Sequence, residues 1–126
     1  MTAILDIRDL HLTIGEGRKA LPILRGVSLV IEAGTVHGLV GESGAGKTMV
    51  GKAVLGVQPR RAFITDGTIA FDGTDITHLA ERARRHLLGP GMSLIPQDPV
   101  NALNPAHRIG RQITDCLLYT SDAADE

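Results

Sequence analysis

Gly41-Glu42-Ser43-Gly44-Ala45-Gly46-Lys47-Thr48 satisfies the pattern G-x-x-x-x-G-K-[ST] at every fixed position. At ordinary residue frequencies, chance yields that spacing in a chain this short only on the order of a few times per thousand. The flanks fit the motif as well. Thr35 to Val40 is a short β-prone run that predicts a strand, and Met49, Val50, Ala53, Val54 and Val57 recur at helical spacing. A strand, a glycine-rich loop and a helix form the setting in which such a loop turns its backbone inward.

The residue types match a dense negative charge. Gly41, Gly44 and Gly46 let the backbone approach phosphate oxygens with no Cβ in the way, so that the amides of Ser43 to Gly46 face inward. Behind them, the first-turn amides through Met49 have no intrahelical acceptor and carry the positive end of the helix dipole. Lys47 supplies a cation for the β and γ phosphates, and the Thr48 hydroxyl is placed to ligate Mg²⁺. The expected ligand is therefore a polyphosphate with Mg²⁺.

Composition narrows the remaining classes. A chain of 126 residues holds one domain, and a net charge of −1 offers no basic field for nucleic acid. No apolar run reaches the roughly 18 residues needed to cross a bilayer, and the first residues lack the basic and apolar regions of a secretory signal, which predicts a cytosolic protein. The single cysteine permits no internal disulfide, and the five histidines are scattered without zinc spacing. Aromatic residues are confined to Phe63, Phe71 and Tyr119, so the core must be aliphatic.

Along the chain, Ile4 to Ile14 alternates loosely as a strand exposed on one side, and Gly15 to Lys19 breaks it. A second strand is expected at Val27 to Ile31, followed by a turn at Glu32-Ala33-Gly34. The helix from Lys47 should end near Gly56, and Arg60 and Arg61 read as a solvated turn in preference to a phosphate contact. Asp66-Gly67 and Asp72-Gly73 predict two turns flanking one short strand. Leu79, Ala83 and Leu87 predict a helix packed by one face, with Arg82, Arg84 and Arg85 solvated on the other. Met92 to Ile95 reads as a short strand, and Ile109 and Ile113 open a last helix.

Two motifs now stand in order, Gly41 to Thr48 and Ile95-Pro96-Gln97-Asp98-Pro99. With Leu103-Asn104-Pro105 and Ile109-Gly110-Arg111-Gln112-Ile113, the chain resembles the N-terminal half of an ATP-binding-cassette (ABC) transporter ATPase subunit, of the subfamily that energises uptake of dipeptides, oligopeptides and nickel. The resemblance implies an α/β P-loop domain, truncated, with an N-terminal antiparallel β portion over residues 1–115. It implies that Gln97, in the Q-loop, approaches Mg²⁺ and the attacking water. A neutral amide on a mobile loop suits that role, because it can ligate and then withdraw without leaving a buried charge. Family members stack an aromatic residue on adenine ahead of the phosphate loop, where this chain has Ile14; an aliphatic face forgoes roughly 0.5 to 1.5 kcal/mol of stacking.

The implied partners are a second ATPase subunit, as homo- or heterodimer, two membrane permeases and an extracytoplasmic solute-binding protein, with the subunit peripheral on the cytoplasmic face of the inner membrane. The family's signature motif, second acidic motif and switch histidine have no counterpart, and no Leu-Ser-Gly-Gly-Gln-like stretch occurs in the chain. Two rivals stay open: a P-loop kinase or non-transport cassette ATPase, and a nucleotide-binding fragment without turnover. Neither the kinase nor the non-transport ATPase accounts for Gln97-Asp98-Pro99 followed by Leu103-Asn104-Pro105.

The last eleven residues, Cys116 to Glu126, resemble the conceptual translation of a transposase-type sequencing adapter. That resemblance implies that 116–126 is a tail foreign to the domain. Setting it aside removes the cysteine, the tyrosine and three acids, which leaves eleven acidic residues against thirteen basic ones.

Overall fold

Leu5 and Ile7 share one strand parity while Leu10, Leu12 and Ile14 share the other, so a regular strand would throw the two sets onto opposite faces. In the computed structural model, which describes residues 3–42, 44, 46–97 and 103–114, a β-bulge resolves the conflict. Strand β1 (Ala3–Ile14) shifts register between Ile7 and Leu10 against one neighbour and between Arg8 and His11 against the other, with Asp9 at φ 47°. The extra residue returns Leu10 and Leu12 to the face of Ile7, and all three are buried. The Ser28 hydroxyl accepts the Asp9 amide at 2.9 Å, which satisfies a donor that the bulge removes from the ladder.

The chain divides into two units, Met1–Arg84 and Arg85–Glu126. In the first, β1 pairs antiparallel with β2 (Leu21–Glu32) and with β3 (Ala62–Phe71), and β3 pairs antiparallel with β4 (Thr74–Asp75), in the order β2-β1-β3-β4. A short 3₁₀ turn, Gly17–Lys19, joins β1 to β2. The second strand thus begins six residues earlier than the expected Val27. Its half of the sheet gains those pairs because Ile14 and Thr13 lie opposite Leu21 and Pro22.

The two Asp-Gly pairs behave differently. Asp72-Gly73 forms the two-residue β3–β4 turn, with both residues at positive φ (49° and 83°), as a type I′ hairpin requires. Asp66-Gly67, expected as a turn, instead lies inside β3 beside the β1 bulge. A Cβ at Gly67 would sit 2.3 Å from the Asp9 carbonyl oxygen, so glycine here makes room for the neighbouring strand.

Helix α1 (Lys47–Leu55) packs on β2 and buries Val50, Ala53 and Leu55. It ends as the sequence predicts: Gly56 is left-handed, and the Val57 amide bonds back to the Lys52 carbonyl at 2.9 Å in Schellman fashion. With Leu24, Ile69 and Ile76, these residues complete an aliphatic core beneath the sheet.

Three further expectations are corrected. Thr35 to Val40 is not a strand: it carries no ladder, and Val36 and Val40 are 101% and 95% exposed. Extended backbone becomes a strand only when a neighbouring strand takes its N–H and C=O groups, and among the described residues no strand does. Met92 to Ile95 is likewise no strand, keeping a single bridge from Leu88 to Met92. In helix α2 (Glu81–Leu87), Arg82 and Arg85 are exposed and Leu87 half-buried as expected, but Ala83 is exposed and Arg84 is the buried residue.

In the second unit, residues 109–114 are helical, as Ile109 and Ile113 predict. The Gln112 side chain clasps the turn before it, accepting the Asn104 amide and donating to the Asn104 carbonyl, each at 3.0 Å. No helix among the described residues is long and apolar enough to cross a membrane.

Candidate functional site

Gly46 begins α1 from a left-handed conformation, φ 92°, with its carbonyl accepting the Val50 amide at 3.1 Å as the first helical bond. A Cβ there would meet Leu24 Cδ2 at 2.9 Å, so the glycine both permits the turn and lets the helix start lie against β2. The N-cap, Gly46, has no side chain to offer, and among the described residues no side chain caps this end. The first-turn amides therefore keep their donors for a ligand.

Gly44 is also left-handed, φ 86°, and a Cβ built on it would meet nothing within 4 Å. Space and exposed backbone thus coincide at the loop. Lys47 lies half-buried with its ammonium turned onto the loop, donating to the Gly41 carbonyl and to the Glu42 carbonyl at 3.3 Å. These carbonyls occupy the cation as an anion would. Thr48 is exposed and Met49 half-buried on the same first turn. Uncapped amides, an open glycine and a poised ammonium fit polyphosphate, and the adjacent exposed hydroxyl fits a hard, oxygen-seeking cation such as Mg²⁺. Ser43 and Ala45 lie outside the described residues.

Ile14 stands at the same end of the sheet. It pairs with Leu21, three residues along β2 from the Leu24 whose side chain would meet a Cβ at Gly46. A cavity of about 520 Å³ opens beside it, lined by Ile14, Glu16, Lys19, Leu21, Arg61 and Phe63. The Gly15 amide donates to the Arg61 carbonyl at 2.9 Å and ties the two loops at the cavity together. Sequence reasoning did not single out Phe63 for this place; the available signal was an aromatic residue in a chain nearly without them, just after the Arg60-Arg61 turn.

Gln97 belongs to the second unit, exposed in a bend after Pro96, while Asp98 and Pro99 lie outside the described residues. The sequence pattern predicts a solvated Arg84, yet its guanidinium donates to the Val54 carbonyl at 3.0 Å and the Ile76 carbonyl at 2.7 Å. Burial lowers its pKa from the ordinary arginine value. The detectable signal was its spacing, four residues after Ala80 and three before Leu87.

Residues 24–126 match the sequence family described as ABC transporter. The chain is 38% identical over 110 residues to the peptide transport system ATP-binding protein SapD of Escherichia coli O6:H1, covering 87% of this chain and 33% of that protein. It is 34% identical over 119 residues to the dipeptide transport ATP-binding protein DppD of Bacillus subtilis, covering 94% of this chain and 36% of that protein. The chain thus spans about a third of the length of the curated relatives it matches. Among solved structures, a bacterial Atm1-family ABC exporter with ATP bound aligns at 28% identity and a TM-score of 0.51, covering 77% of this chain and 16% of that one. Phosphate loop, antiparallel sheet and relatives agree, and the chain belongs to the ABC transporter family.

Proposed function

We propose that this chain is the N-terminal part, residues 1–115, of the ATP-binding subunit of an ABC importer that couples Mg·ATP binding and hydrolysis to uptake of peptides or a related solute. The observation that carries the reading is the uncapped start of α1 behind two left-handed glycines, with Lys47 turned onto the loop. The backbone of Gly41, Ser43, Gly44, Ala45, Gly46 and Met49 would hold the phosphates, Lys47 the β and γ oxygens, and Ile14 one side of the base. Thr48 and Gln97 would hold Mg²⁺, which when bound offsets charge on the phosphate oxygens. Gln97 also contacts the attacking water in this reading.

The parent would carry an α/β core in which the run at 35–40 becomes a parallel strand once neighbours cover it. Its partners would be a second ATPase subunit, two permeases and an extracytoplasmic binding protein, at the cytoplasmic face of the inner membrane. Residues 116–126 are assigned to a tail outside the domain. A fragment without turnover is the second reading for the 126 residues alone, favoured by the exposure of Val36 and Val40.

Reconstitution of the parent subunit with its permeases tests the main reading. ATP-dependent uptake of a labelled dipeptide or oligopeptide is expected, and its loss in Lys47→Ala. A parent that binds Mg·ATP but moves no peptide with any permease pair would restrict it to a non-transport ATPase.

A further inference from the structure

Helix α1 is bounded by two left-handed glycines, Gly46 at φ 92° and Gly56 at φ 74°, and a Cβ on either would strike a side chain from outside the helix. At the phosphate-loop end that side chain is Leu24 of β2. At the far end it is Arg84, whose Cδ and Nε would both lie 2.3 Å from the added carbon.

The two holds differ in kind. Leu24, like the buried Val50, Ala53 and Leu55, offers apolar contact, which is non-directional and fixes the axial position of a helix only weakly. Hydrogen bonds are directional, and a planar guanidinium sets the angle between its acceptors. Arg84 Nη1 donates to the Val54 carbonyl in the last turn of α1 at 3.0 Å, and Nη2 donates to the Ile76 carbonyl at 2.7 Å. Ile76 is fully buried and fastened to β3 in turn, its amide donating to the Ile69 carbonyl at 2.8 Å. A hydrogen-bonded line thus runs from the last turn of α1 through Arg84 to the sheet, and among the described residues no other hydrogen bond joins the two.

The Val54 carbonyl stands about 12 Å along the axis from Gly46 at the α-helical rise, and a helix this short, with no proline to kink it, moves as a unit. Fixing its far end therefore fixes its start. A site that holds phosphate through backbone amides depends on their placement to within about 0.5 Å. Resting on the phosphate-binding reading above, we propose that Arg84 is a positioning residue for the phosphate site: it touches no ligand, and by fastening the far end of α1 to the sheet it holds Lys47 and the first-turn amides where the phosphates bind.

Titration calorimetry of inorganic triphosphate and of Mg·ATP on the folded parent subunit, well below the melting temperature of every variant, tests this. Arg84→Met is expected to weaken both ligands by the same factor, roughly two- to thirtyfold, because the change lies at the phosphates and not at the base. Gly56→Ala, whose methyl group displaces the guanidinium, is expected to do the same with Arg84 still present. Arg84→Lys keeps the charge but lacks the fork, so its affinities should fall between those of the unmodified and methionine forms, and it carries the comparison if Arg84→Met does not fold. Gly67→Ala is the control: it strains β3 at the β1 bulge, and at a comparable loss of stability it should leave both affinities unchanged. Unmodified affinities in Arg84→Met and Gly56→Ala, or a loss in Gly67→Ala that matches theirs, would reduce Arg84 to a purely structural role. Absence of triphosphate binding to the unmodified parent would instead remove the phosphate reading, and this inference with it.

Discussion

The Arg84 guanidinium donates to the Val54 carbonyl at 3.0 Å, so a residue of α2 caps the carboxyl end of the helix whose other end is the phosphate loop. The cation meets the negative end of the α1 dipole, and the contact needs Gly56, where a Cβ would lie 2.3 Å from Arg84 Cδ. The same side chain also satisfies the Ile76 carbonyl in the core.

Removal of that guanidinium takes a donor from two carbonyls and leaves Ile76 with the Leu79 amide at 3.3 Å. Arg84→Met, which keeps much of the buried stem, is expected to destabilise the fold by about 2–4 kcal/mol. Urea unfolding of the parent subunit gives the value; a change within error of zero would mean that water replaces the guanidinium at both carbonyls.

Gly67 has no room for a side chain against the Asp9 carbonyl and adopts φ 90°. Gly67→Ala is expected to cost about 2–4 kcal/mol through backbone strain and displacement of the β1 bulge. Gly73→Ala, in open space on the hairpin, is expected to cost less, and thermal melts of the two variants side by side check the order.

At the loop, loss of the Lys47 ammonium removes a charge-assisted bond to phosphate worth roughly 1.5 to 3 kcal/mol. Lys47→Ala in the parent should therefore weaken Mg·ATP about ten- to a hundredfold and abolish hydrolysis. Calorimetry paired with a phosphate-release assay reads both; normal affinity together with normal turnover would contradict the assignment.

Asp75 accepts from the Thr77 hydroxyl and, at 2.9 Å, from the Thr77 amide, which hold its carboxyl below the ordinary aspartate pKa. A depressed folded-state pKa stabilises the fold above the unfolded value, near about 3.9, and the gain disappears as pH falls through the folded one. The melting-temperature gap between the natural chain and Asp75→Asn is expected to be present at neutral pH and to close in strong acid. A gap independent of pH would show that the charge plays no part.

For the 126 residues by themselves, ATP turnover is expected at background, since the sequence holds no counterpart of the family's signature motif or catalytic carboxylate. With Val36, Leu39, Val40, Leu94 and Ile95 all exposed, the purified polypeptide should aggregate or bind a hydrophobic dye in molten fashion. Deletion of 116–126 should alter neither behaviour. Steady-state hydrolysis lost on that deletion would refute the tail assignment and the expected inactivity at once.

Local chemistry made much of this protein legible in its sequence. The phosphate loop, the α1 stop at Gly56 and the Asp72-Gly73 hairpin each depend on a few adjacent residues whose backbone freedom or donors suffice to specify the conformation. Tertiary structure decided the rest, because those outcomes depend on what lies across space. Asp66-Gly67 is a tight passage inside a strand because the Asp9 bulge sits opposite, and Arg84 is buried because the carbonyls of Val54 and Ile76 need its donors. The β-prone run at 35–40 stays outside any sheet because backbone hydrogen bonds between strands require a second strand, and no side-chain pattern within one segment can supply it.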